Sequence, residues 1–304
     1  MNNIPLDVLI LVASYLVRPN KLLEWIPLDK ISWHGLSKNP NAINLLEQNI
    51  NKINWTQLSF NPNALHLLKQ NPYYIDWRWL SCNPNIDSLI SFIEPYKNKL
   101  HWSELSRNPG AIQILEQNID KIDWFYLSLN PCNEAIHFLK QNMDMINWGS
   151  LSQNPCEAAI HLLEANIDKI SWRGLSRNHN AIHLLLANPD KIHWDMLSCN
   201  SNITAIHLLE QNIDKINWNM LSGNPCEAAI HLLEQNIDKI YWFLLSSNPC
   251  EAAIHLIKQN IDNPLATINW FWLSANPSIF ENDRQTKIII AEKANIIDNI
   301  LYKN

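Results

Sequence analysis

The sequence predicts an all-α solenoid of about eleven two-helix repeats, 22–24 residues each, with capping helices at both ends. Three observations carry that expectation. The string W-G-S-L-S-Q-N-P at 148–155 recurs along the chain: tryptophan stands at 33, 55, 77, 102, 124, 148, 172, 194, 218, 242 and 270, always followed by Leu, Ser and, at the sixth position, Asn. Self-similarity at such a period marks units that bury their apolar surface only against their neighbours. Glycine is scarce, with 5 in 304 residues, so turns needing positive φ have little material. The residues flanking each motif are helix-capping types.

The first residues of the chain differ from the rest. Residues 4–16 read as an amphipathic helix starting near Pro5, and Leu22 to Ile26 as a second, short one, with Arg18-Pro19-Asn20 breaking them. Residues 1–30 therefore form an N-terminal unit, 31–277 the repeat array and 278–304 a C-terminal cap.

From Ile31 onward the unit is I-x-W-x-x-L-S-x-N-P, then A-I-x-L-L-x-x-N and a polar link. In eight copies the residue before Trp is Ser, Asn or Asp (Ser32, Asn54, Asp76, Asp123, Asn147, Ser171, Asn217, Asn269), types that accept backbone N–H bonds at helix starts. With Ser171 as cap, Ile170 and Leu175 have the spacing of a hydrophobic staple, and the Trp is expected to point inward. The fixed Asn, such as Asn154, is expected to end this helix and cap the next, with Pro155 at its first position and Glu157 completing a capping box. Ala159, Ile160, Leu162 and Leu163 then form the core face, and Asn166 the left-handed terminal residue. The two extra residues of the longer copies fall between N-P and A-I, where they lengthen a helix start. The period also fits a leucine-rich repeat, in which I-x-W would begin a strand. At the far end, Arg284 to Leu301 reads as a closing helix.

Composition narrows the function. The net charge is −6 and the 23 Lys and Arg are scattered singly, which argues against nucleic acid as a partner. The apolar run from Val8 to Leu16 is too short to cross a bilayer. Six cysteines occur without C-x-x-C pairs. Equivalent positions on stacked helices lie about 8–10 Å apart, beyond the reach of a disulfide, so reduced thiols in an intracellular, cytoplasmic setting are expected.

No phosphate loop, nucleophile elbow or metal motif is present, and no cofactor is expected. His66, His137, His161, His183, His207, His231 and His255 occupy one slot of the second helix, one per repeat. At that spacing they do not converge on an ion, and they read as a polar ladder whose joint titration would be a pH-sensing device. Repeated carboxylates such as Asp168 and Glu164 read as caps and solvated faces, so an enzyme is not expected.

Two positions between Trp and Leu vary in every copy, as recognition surfaces on constant scaffolds do. Trp79, Phe125, Tyr126, Phe243, Phe271 and Trp272 are the candidate partner-binding anchors there; the alternative is that they only adjust packing.

Two resemblances add to this reading. The pattern I-P-x-D-x-L-x-x-x-x-x-Y-L followed by L-L resembles the first two helices of an F-box. That resemblance implies docking on a Skp1-type adaptor of a cullin ubiquitin ligase through Ile4, Pro5, Leu9, Tyr15, Leu16, Leu22 and Leu23; the alternative is that the segment only caps the array. The array itself resembles the W-x-x-L-S-x-N-P repeat proteins of large DNA viruses of amoebae, a family that implies no catalytic residues. The expected function is a non-enzymatic protein-binding solenoid linking a partner to such a ligase, or else a structural, virion-associated scaffold.

Overall fold

The computed structural model of the chain describes residues 20–281. It is an all-α solenoid, and each repeat opens at its tryptophan. All eight predicted caps accept a backbone N–H from the first turn: Ser171 from Gly174, for example, and Asn147 from Ser150. His101, His193 and Tyr241, which fill the other three cap positions, make no such bond. A first helix as in Trp172–Arg177 follows, so I-x-W does not begin a strand and the leucine-rich alternative falls away. Ile170 and Leu175 are both buried in the core, as a staple requires.

The second helix differs from expectation at both ends. Asn154 Oδ1 accepts from the Cys156 amide at 2.9 Å, a tight local turn that postpones the helix to Glu157–Glu164. Pro155 and Glu157 therefore do not occupy the expected first and third helical positions, and no capping box forms. In the first and fourth copies the proline does lead, as in the 3-10 turns Pro40–Ala42 and Pro109–Ala111, the former before helix Ile43–Glu47, so the two extra residues of the longer copies are absorbed at the helix start. Asn166 is not left-handed: its φ is −139°, and its amide donates to the Leu162 carbonyl at 2.8 Å, satisfying the helix end through the side chain.

The tryptophans are half-buried rather than fully inward, Trp242 excepted. In six copies the exposed face is covered by the residue three before the next Trp. Lys52 lies over Trp33 (4.5 Å), Lys169 over Trp148 (4.6 Å) and Lys215 over Trp194 (4.3 Å), while Tyr74 stacks on Trp55 at 4.9 Å. A ring with one wet face suits a cation better than a sealed core does.

Ser and Asn, the polar members of the motif, join the repeats. Ser152 Oγ donates to the Trp148 carbonyl of its own helix (2.7 Å) and accepts the Ser171 amide of the next repeat (3.0 Å). Asn154 Nδ2 donates back to the Ser128 and Asn130 carbonyls of the preceding repeat, at 3.0 and 2.8 Å. The corresponding Ser and Asn are buried in every copy, so each interface is a dry hydrogen-bonded seam between apolar layers.

The array then closes on itself. Asn39 of the first repeat donates to the Ser274 and Asn276 carbonyls of the last, at 3.0 and 2.8 Å, and Ser32 N donates to Ser274 Oγ at 2.9 Å. Lys30 covers Trp270 as Lys169 covers Trp148. The first helices Trp33–Lys38 and Trp270–Ala275 pack together, and eleven repeats make a ring, a rotation of roughly 33° per step. A two-stranded antiparallel sheet, β1 (Lys21–Leu22) with β2 (Phe280–Glu281), fastens the seam in the register Lys21↔Glu281 and Leu22↔Phe280. Leu23 N donates to the Ile279 carbonyl at 2.9 Å.

Closure corrects two expectations. Leu22 to Ile26 is not a helix, because its backbone pairs with the far end of the chain. The first and last repeats cover each other, so neither array face is left for a cap to hide. The expected helices at 4–16 and 284–301 lie outside the described residues.

Candidate protein-binding face

The residue directly after Trp is exposed or half-buried in every copy, and the one after it is buried only at Gly35, Ser150 and Gly174. The two residues after Trp project beside the corresponding pair of the next repeat, and a third position joins them: the residue between Ser and Asn. Spaced three and four residues along the helix, it falls on the same face. Phe60, Cys82 and Arg107 hold that position in repeats two to four and line one cleft together with Arg78, Trp79 and Glu104. Gln153 and Arg177 do the same for a second cleft beside Phe125, Arg173 and Met196. Sequence reading missed this position, although helical spacing from the variable pair pointed to it.

Ring closure gathers most of the predicted anchors. Phe243 meets Trp272 edge-on at 6.3 Å, Trp272 meets Phe271 at 5.1 Å, and Phe271 meets His34 of the first repeat at 5.1 Å. Lys38 bridges the seam, its Nζ 5.6 Å from the Trp272 ring and 4.8 Å from Phe60, which packs on Trp79 at 6.0 Å. Phe243, Phe271, Trp272 and Trp79 thus belong to one arc over five repeats. Phe125 and Tyr126 pair with each other at 5.2 Å in a separate patch. Of the expected adaptor-binding residues, Leu22 and Leu23 belong to the seam and pack on the core, whereas Ile4, Pro5, Leu9, Tyr15 and Leu16 lie outside the described residues.

Charge is uneven along this face. Arg78 reaches Glu104 at 3.4 Å, and Arg173 meets His193 at 2.7 Å. Burial lowers the Lys38 ammonium below the usual lysine range. Burial, aided by the Glu104 carboxylate, pushes the Cys82 thiol up to about 12. A thiol so held is protonated at mildly alkaline pH, and its alkylation by iodoacetamide should run about a thousandfold slower than that of free cysteine. Peptide mapping by mass spectrometry checks this, and a free-thiol rate at Cys82 would refute it.

No family model, curated protein or solved structure matches this chain.

The opposite, second-helix face carries the histidine slot, exposed in all seven copies. His66 and His183 bond Glu47 and Glu164 of the preceding repeat, at 2.8 and 2.9 Å, whereas His161 and His231 turn to Glu164 and Glu234 of their own helices. The Glu164 hydrogen bond raises the His161 imidazole, so its contribution to folding is present at acid pH and fades as pH rises through the folded value. Full exposure keeps that contribution small. Among the described residues no group of three His, Cys, Asp or Glu is placed to hold a metal ion, and no helix is long and apolar enough to cross a membrane.

Proposed function

We propose that the ring is a non-enzymatic protein-binding scaffold whose first-helix face recognises the partner. The observation that carries this is the arc of Phe243, Trp272, Phe271, Phe60 and Trp79 with Lys38 among them, assembled across the seam from both ends of the chain. Aromatics left partly or largely open to solvent beside cations are the side chains that dominate protein interfaces, and Phe243 is exposed while the other four are half-buried. Phe60, Trp79, Phe243, Phe271 and Trp272 belong neither to the buried core nor to the half-buried layer packed on it, so the fold does not account for the arc. The carboxylates and imidazoles, by contrast, recur around the ring instead of converging in one cleft, which favours recognition over catalysis.

The triple variant F243A/F271A/W272A should lose proteins captured from a eukaryotic cell lysate while its far-UV circular dichroism stays that of the wild type. Retained capture would remove this face from consideration. A link to a Skp1-type adaptor rests on residues 4–16 alone, because Leu22 and Leu23 are engaged at the seam. Co-purification with Skp1 tests that link, and no complex at high concentration would abolish it.

A further inference from the structure

The cleft between the third and fourth repeats differs in chemistry from the rest of the arc. It has a volume of about 560 Å³, with Phe60 and Trp79 on one wall, Pro84 and Pro109 at matching positions of adjacent repeats, and Arg78 and Arg107 at its mouth. Both arginines are exposed. Glu104 is the one carboxylate in the lining, its side chain only 13% exposed, and its contact with Arg78 at 3.4 Å is too long for a strong charge-assisted bond. Lys38, against the far side of Phe60, adds a third basic group. An apolar slot with surplus positive charge therefore stands in a chain whose net charge is −6.

We propose that this cleft binds an extended acidic peptide segment of a partner protein, a bulky apolar side chain resting against the wall formed by Phe60 and Trp79 and two carboxylates resting on Arg78 and Arg107. The proposal rests on the protein-binding reading above and names the chemistry of the partner. The two arginines stand on neighbouring first helices, about 8–10 Å apart at their axes. Alternate residues of an extended strand lie about 7 Å apart and on one side, so acidic residues at positions i and i+2 reach both guanidinium groups through their flexible arms. The Glu104 carboxylate accepts a backbone N–H of the bound strand. A single-stranded nucleic acid fits less well: Phe60 and Trp79 stand at 87° to each other, which leaves no pair of parallel stacking platforms, and Glu104 repels phosphate.

Panning a random-peptide phage library on the full chain tests this directly. The expected winners carry a large apolar residue beside Asp or Glu at alternate positions. As fluorescein-labelled peptides they should bind the R78Q/R107Q variant about tenfold or more weakly, with H207A, on the exposed opposite second-helix face, unchanged. Both substitutions sit on exposed side chains, and circular dichroism verifies the fold. Uncharged or basic winners, acidic winners indifferent to R78Q/R107Q, absence of any winner, or arginine-dependent binding of oligothymidylate would each overturn the proposal. Winners that depend on Phe243 and Trp272 instead would sink the cleft and leave the protein-binding ring standing. Loss of lysate capture sensitivity in F243A/F271A/W272A would sink the ring's recognition face itself.

Discussion

Asn39→Ala should destabilise the protein as much as Asn154→Ala, by about 3 to 5 kcal/mol, although one lies in the first repeat and the other mid-array. Each asparagine is fully buried and makes three bonds, two from its amide to the preceding repeat and one accepted locally. Alanine removes the side-chain donor from two carbonyls and the acceptor from one N–H in a dry interface, where each unpaired group costs about 1–3 kcal/mol; at the seam the Asn276 carbonyl keeps only a long bond of 3.4 Å from the Ile279 amide. The comparison decides the architecture. In an open solenoid Asn39 would have no preceding repeat and would forfeit only its local bond to the Asn41 amide, a loss of about 1 kcal/mol. Asn276 is no substitute, because its amide bonds to Asn248 whether or not the ring is closed. Urea midpoints for N39A and N154A, read with a common slope, check the equality; a small effect at Asn39 would mean the seam is open.

Closure changes what holds the ends. A linear array of eleven repeats has ten internal interfaces and two end units that fray, whereas the ring has an interface for every repeat and no end. The seam uses the array's own chemistry: the Ser274 hydroxyl and the Asn39 amide do there what Ser152 and Asn154 do elsewhere.

What the sequence disclosed follows the range of the interactions. Caps, staple and helix periodicity act within one turn or two, and they stood where Ser171, Ile170 and Leu175 placed them. The roles of Ser152 and Asn154 lie in which neighbouring carbonyl they face, which no local rule specifies, so Asn154 was given a local duty it only partly performs. Closure depends on a small rotation multiplied eleven times. A signal of it was nonetheless present. End repeats of an open array should be atypical, yet the first copy keeps Lys30 and Asn39, residues whose inter-repeat contacts have a purpose only if another repeat precedes them. The proposed recognition face was half legible: the variable pair was visible, but its third member and the meeting of Phe271 with His34 needed the ring.

Gly35→Ala and Gly149→Ala should shift stability in opposite directions. Both glycines sit in first helices, where alanine is intrinsically better by about 1 kcal/mol. A Cβ on Gly149 meets only the Asn147 side-chain oxygen at 3.4 Å, so that variant should gain about 0.5–1 kcal/mol. A Cβ on Gly35 would overlap the Phe271 carbonyl oxygen and lie 2.9 Å from the Ser274 Cβ, both across the seam. Backbone, not a flexible side chain, must move, and the net cost should be about 1–3 kcal/mol even after the helical gain. Hydrogen exchange at the Leu23 amide, which bonds the Ile279 carbonyl, should quicken in G35A and not in G149A. If G35A is stabilised like G149A, the two helices are not in contact. The substitution reaches function as well, because the displaced strand of contacts runs from Gly35 to Phe271, and with it moves the His34–Phe271 pair and the Lys38 bridge to Trp272. A ring sprung by one methyl group should therefore lose partner binding in proportion to how far its seam opens, tying recognition to closure.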